Sequence, residues 1–354
     1  MHITTLSDAE RTRRHRLADQ LMDAESVAGL IAYGEAADFF AGATVGALVL
    51  LTRGRPPTVL VGPGRWPAPP TPWLATADVR EGLHAYGIAD ALGEHDLDRS
   101  TVGVIGIEAF SPLHHGATMP YTLWADVLRL VPAATFVPVW RPFLLLTLAR
   151  SEEELGELAA AASVGETVAR TMVGRLRSGD SAAEAGAAAL AASGGRATVS
   201  WAPSGDGTVL ADVVSGTGRG ASHHLTAITA SGTSNPEVDR AGVAAQSAYA
   251  AGLRLMRAGT PFGAVAESMR QEIAGAGGTH RTPQISSVPA GIIGGCGPDL
   301  PTIGYDIALA PGMVFTVAAT CQIGTTAVRL GGTVVIGADR AVELAPFTRQ
   351  LLHV

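Results

Sequence analysis

Apolar and polar positions along this chain follow two rhythms. Short apolar runs at Val27 to Tyr33, Gly46 to Thr52, Thr58 to Val61, Val102 to Ile107 and Ala134 to Val139 have the length of buried strands. A helical pattern over Thr122 to Val131 separates the last two, and the turn Arg53-Gly54-Arg55-Pro56-Pro57 joins the second to the third. These elements predict a mixed sheet with helices on it. Pro63 to Pro72 reads as a loop, because so many missing amide donors would spoil a helix or an inner strand.

Near Arg150 the rhythm changes. Ser151 is placed to cap a helix, Glu152, Glu153 and Glu154 suit its positive end, and an alanine-rich stretch carries it to about Leu176. The boundary is therefore expected between domains 1–148 and 149–354. Arg177-Ser178-Gly179-Asp180 opens a second helix ending at Gly194-Gly195. Arg257-Ala258-Gly259-Thr260 opens another, ending at Gly277-Gly278 and preceded by a long helix from Asp239 to Met256. Two helix pairs of one design imply two similar halves. A strand pair is expected between Val209 and Ser231. Two further buried strands follow in Leu309 to Ala318, after the Pro311-Gly312 turn, and in Val328 to Ile336, which contains Gly331-Gly332.

Composition narrows the function. Hydrophobic residues make up 47% of the 354 and charged residues only 16%, which describes compact globular domains. A net charge of -7 argues against nucleic acid as a partner. The longest apolar run, near Phe143 to Ala149, is far short of the roughly 20 residues of a spanning helix, so no membrane is expected. All 25 basic residues are Arg, which excludes a lysine Schiff base and a P-loop lysine. With only Cys296 and Cys321 there is no disulfide framework, and a cytoplasmic setting is expected. The cluster Arg11, Arg13, Arg14 and Arg16 reads as a solvated helix start.

Arg150-Ser151-Glu152-Glu153-Glu154, the helix-pair repeat, Leu309 to Thr316 and Val328-Arg329 together resemble the pita-bread fold of creatinase, aminopeptidase P, prolidase and methionine aminopeptidase. The resemblance covers nearly the whole chain and implies an α/β (α+β) architecture: a creatinase-like amino-terminal domain followed by a pita-bread domain with a pseudo-twofold repeat. It implies a homodimer as well. Metallopeptidases of the family bind two divalent ions through two aspartates, a histidine and two glutamates. Those positions fall here on Val213, His224, Gly291, Ala318 and Gly331, none of which is the family residue. Slipping the first two by one gives Asp212 and His223. No catalytic metal and no cofactor are expected.

What remains for chemistry is imidazole first. His223 and His224 are adjacent on a strand, so only one can face a cleft, and His224 is the preferred acid/base; a packed, bonded histidine is the alternative. Arg329 would bind a substrate carboxylate or phosphate, or else hold strands together through a salt bridge. Asp299, in Gly297-Pro298-Asp299, would orient a histidine or act as a base, or only cap a turn. Cys296 and Cys321 would be nucleophiles beside a base, or apolar filler. His280, Arg281 and Tyr305 are candidate substrate contacts, with a surface turn as the simpler account of the first two; His114 and His115 are expected in a solvent loop, with reach into a partner subunit as the alternative.

Three readings follow. The first is a metal-independent enzyme doing acid/base chemistry (carbon-nitrogen hydrolysis, elimination or cyclisation) on a small neutral or anionic metabolite. The second is an inactive peptidase homologue that binds a small molecule or peptide. The third is an Xaa-Pro peptidase, which requires a different alignment of the ligands.

Overall fold

The computed structural model describes residues 6–42, 46–64, 72–107, 118–204, 208–216, 221–229, 235–280, 284–287 and 307–354. The chain divides into two compact units, Met1–Thr147 and Leu148–Val354. Residues 65–71, most of the proline-rich piece, lie outside the described residues.

The first unit runs α1 (Asp8–Ala24), β1 (Gly29–Tyr33), α2 (Glu35–Ala41), β2 (Leu48–Thr52), β3 (Thr58–Val61), β4 (Asp78–Glu81), α3 (Ala85–Glu94), β5 (Thr101–Ile105), α4 (Tyr121–Leu130), β6 (Thr135–Pro138) and α5 (Trp140–Thr147). Its six-stranded sheet has the order β4-β3-β2-β1-β5-β6, with β1 antiparallel to β2 and parallel to β5. The expected mixed sheet is present because its inner strands β1, β2, β3 and β5 are apolar on both faces. Leu30, Val49, Leu51 and Val59 join Ala36, Phe40 and Phe143 in one core. Ile31, Leu50, Leu60 and Val104 join Ile88, Leu92 and Val127 in the other.

The arginine cluster is not simply solvated. Arg14 is only 5% exposed. Its Nε donates to Glu10 at 2.7 Å, and its guanidinium lies 4.2 Å from the centre of the Phe39 ring. Burial alone would raise the Glu10 carboxyl, but its bonds from Arg13 and Arg14 outweigh that and lower it.

Two imidazoles here are held toward the neutral form. His95 bridges Thr52 (Nδ1, 2.7 Å) and Thr58 (Nε2, 2.9 Å), and burial, then Arg55, pushes it below the ordinary histidine value. His15 is lowered by burial and then by Arg11, with Asp19 opposing. Between the folded value and the ordinary value of about 6.5 the unfolded chain binds more protons. The stabilising contribution is thus complete above that ordinary value and falls as pH drops below it. Glu35, raised by burial and then by Asp38, works in the opposite direction. The urea midpoint is expected to drop from pH 7.5 to pH 5.5, and by less in His95→Gln; an identical pH profile in that variant would refute the assignment.

The second unit runs α6 (Glu152–Arg177), α7 (Ala182–Ala192), β7 (Ala197–Ser204), β8 (Thr208–Gly216), β9 (Ala221–Thr229), α8 (Pro236–Leu255), α9 (Phe262–Gly275), β10 (Thr279–His280), β11 (Gln284–Ser287), β12 (Val314–Ile323), β13 (Thr326–Ile336), β14 (Ala341–Glu343) and β15 (Leu352–His353). Ser151 and Glu154 form a reciprocal cap at the start of α6, and Ser181 and Glu184 repeat it at α7. The nine-stranded sheet has the backbone order β10-β12-β13-β9-β8-β7. Helices α6 and α7 pack on β7, β8 and β9, and α8 packs on β12 and β13. Each half of the sheet is thereby covered by one helix pair.

Candidate functional site

The ladder decides which residues share a face. Val213 pairs with His224, Gly332 with His224, Val317 with Gly332, and Cys321 with Val328. Directly paired residues stand on the same side of a sheet and sequence neighbours on opposite sides. The helices identify the side. Ser215 donates to the Ala161 carbonyl of α6 at 2.7 Å, His224 Nε2 lies 2.9 Å from the Ala162 carbonyl, and the Phe262 and Phe315 ring centres are 5.9 Å apart. Val213, Ser215, His224, Phe315, Val317 and Cys321 therefore all face α6–α9.

Three expectations change in consequence. His224 does not face a cleft: it is completely buried beneath α6, and since a carbonyl only accepts, Nε2 carries the proton and donates. Gly165 of α6 makes room for it, because a Cβ there would stand 2.5 Å from His224 Nε2 and 2.6 Å from Ser215 Oγ. Cys321 is likewise fully buried on the helix side, and burial raises its thiol above the ordinary cysteine range, the reverse of what a nucleophile needs. Val213 and His224 also cannot share a site with Ala318 and Gly331, which stand on the opposite face. The frame slipped by one fits the geometry, and it brings in Asp212.

On the face turned away from the helices, Asp212 pairs with Leu225, Leu225 with Gly331, Gly331 with Ala318, and Arg329 with Thr320. Burial pushes the Arg329 guanidinium below the ordinary arginine range, and the charge of Asp212 works against that shift. Asp212 and Arg329 are the charged pair of this face among the described side chains of β8, β9, β12 and β13. Thr320 stands opposite Arg329 on this face, and the hydroxyls of Thr316 and Thr333 stand two rows further along it.

A dinuclear metal centre does not fit the described residues of this face. Ala318 has no ligand atom, and Gly331 has a backbone φ of +140° that side-chain-bearing residues rarely adopt. A Cβ on Gly331 would meet the Val317 carbonyl oxygen at 2.0 Å. Thr348 Oγ1 donates to the Gly331 carbonyl at 2.8 Å and fixes that peptide. Among the described residues no three His, Cys, Asp or Glu side chains are grouped to hold an ion.

Asp299, Cys296, Arg281, Tyr305, His114, His115 and Gly291 lie outside the described residues. The backbones of His223 and His280 are described, paired with Val214 and Cys321, but their side chains are outside the description. Among residues missed by sequence reasoning, Asp212 had a signal in the slipped frame, whereas Thr316 and Thr333 stand out only once the faces are known. A surface groove of about 720 Å³ between α8 and α9, lined by Asp239, Arg240, Val243, Ser247 and Glu272 among others, contains none of these strand positions.

A profile described as metallopeptidase family M24 matches residues 150–338. No curated protein sequence matches the chain. Among solved structures, the chain is similar to an Xaa-Pro dipeptidase from Bacillus anthracis at 16% identity, with 97% of this chain and 100% of that one covered and a TM-score of 0.77. It is similar to the dipeptidase PepE from Mycobacterium ulcerans at 17% identity, 99% of each chain and a TM-score of 0.73. An X-Pro aminopeptidase from Thermotoga maritima MSB8 aligns at 14% identity over 96% of this chain and 99% of that one, with a TM-score of 0.73. At identities this low the structural likeness shows the fold alone, the expected two-sheet α/β pita-bread architecture. No helix among the described residues is long and apolar enough to cross a membrane.

Proposed function

The chain belongs to metallopeptidase family M24, and from that premise we propose a metal-independent member that holds a small neutral or anionic metabolite on Arg329 and transfers protons through Asp212. The observation that carries this reading is the pair Ala318 and Gly331. It leaves no carboxylate where the resemblance implies two, beside a half-buried guanidinium. An arginine has several donors in a planar fork, so Arg329 can meet Asp212 and a ligand oxygen at once. Asp212, a carboxylate on the same face, is the base available among the described side chains for hydrolysis, elimination or cyclisation.

A binding module is the second reading. It is favoured by the burial of both His224 and Cys321 on the helix side, which removes the expected acid/base and the expected nucleophile from this face. Cleavage of Xaa-Pro peptides, the activity named for structural neighbours, would need the metal centre that these residues do not fit.

Calorimetric titration with small carboxylates and phosphates tests the anchor. A charge-assisted bond is worth about 1.5–3 kcal/mol, so Arg329→Gln is expected to weaken an anion at least about tenfold. Asp212→Asn is expected to abolish turnover while leaving affinity within about threefold, which separates the enzyme from the module. Unchanged affinity in Arg329→Gln, or manganese-dependent Xaa-Pro cleavage by the wild type, would sink the reading.

A further inference from the structure

The face that carries Arg329 has a second polar feature which the anchor does not use. Thr316 is 5% exposed, and its Oγ1 has no hydrogen-bond partner among the described residues. Along β12 and β13 this face is stacked in rows: Thr316 with Thr333, Ala318 with Gly331, and Thr320 with Arg329. The middle row offers only a methyl group and a glycine, between a row of hydroxyls and a row with a cation. At about 3.4 Å per residue the outer rows are about 13 Å apart, a distance of which an extended arginine side chain is long enough to cover part. Leu225, buried and paired with Gly331, bounds the middle row on the β9 side.

We propose that this site takes a small organic monoanion carrying a neutral hydrogen-bonding group a few bonds from its charge, with the anion on Arg329 and the neutral group on Thr316. The proposal rests on the Arg329 anchor above and adds the class of ligand. A hydroxyl both donates and accepts, so an amide or alcohol on the ligand satisfies Thr316, whereas an alkyl end leaves it buried and unsatisfied. A site built to hydrogen-bond a group rejects analogues lacking it far more strongly than a purely apolar pocket rejects a changed methylene. Asp212, whose charge already acts on Arg329, disfavours a second negative charge on the ligand.

A matched series of acids tests this on the full chain: glutaramate (amide end), pentanoate (alkyl end) and glutarate (second carboxylate), titrated calorimetrically against wild type, Thr316→Val and Arg329→Gln. Wild type is expected to prefer glutaramate at least tenfold over pentanoate and over glutarate. Thr316→Val, nearly the same shape and without the unpartnered hydroxyl, is expected to keep or raise its melting temperature and to shrink the glutaramate preference over pentanoate to within twofold. Arg329→Gln is expected to weaken all three. Equal binding of glutaramate and pentanoate by wild type, or an undiminished preference in Thr316→Val, overturns the Thr316 assignment while leaving the anchor standing. Binding that is indifferent to Arg329→Gln, or no binding by any of the acids, overturns both.

Discussion

Gly331→Ala is expected to destabilise the protein by more than about 4 kcal/mol, a magnitude reserved for a few mechanisms, of which backbone strain and core overpacking both apply here. The new methyl group would sit 2.0 Å from the Val317 carbonyl oxygen and 3.2 Å from Ala318 Cα. Both are backbone atoms of the neighbouring strand, so no side chain can swing aside to relieve the clash. Rotating the peptide away from its φ of +140° would break the bond from Thr348 to the Gly331 carbonyl and disturb pairing to both β12 and β9. Urea denaturation measures the loss, and a change below about 1 kcal/mol would show that the strand relaxes easily. The same geometry bears on metal. Ala318→Glu with Gly331→Glu restores the side chains that the resemblance implies, yet the second has no room for its Cβ. That double variant is expected to be unstable and to take up no manganese in native mass spectrometry.

Much of the frame was legible because it is local chemistry. Ser151 and Glu154 announce the start of α6 through a pattern that needs no tertiary knowledge, and the repeat of helix pairs follows from Gly-terminated apolar periodicity. The β12 and β13 strands, with their Pro-Gly entry, read equally well. Which way a strand faces is a different kind of information. Alternation says that His223 and His224 oppose one another, but only the partner element says which of them is inside. Here that partner is α6, which lies 62 residues from His224 at their hydrogen bond. A one-residue slip reverses every assignment on the strand, and so Val213 and His224 gave way to Asp212. Gly331 could be seen as a missing ligand, but its positive φ belongs to packing against Val317 and Thr348, which sequence spacing does not encode.

Gly165→Ala is expected to cost about 1–3 kcal/mol through overpacking against the imidazole and the Ser215 hydroxyl. Glycine in an exposed helix would behave oppositely, since alanine favours helix by about 1 kcal/mol. The sign therefore reports whether His224 packs under α6. His224→Ala should also destabilise, because it leaves a cavity and removes the bond to the Ala162 carbonyl. Combined, the two substitutions should cost less than their sum: a methyl at residue 165 occupies space that the imidazole vacates. A double-mutant cycle in urea is expected to give a coupling of about 1–2 kcal/mol. Additivity within about 0.3 kcal/mol would mean that the two groups do not compete for the same space. The cycle also separates a packed histidine from a catalytic one. Affinity for a small anion should be unchanged in His224→Ala at temperatures where the variant is folded, whereas a histidine that touched substrate would lose binding or turnover with its fold intact.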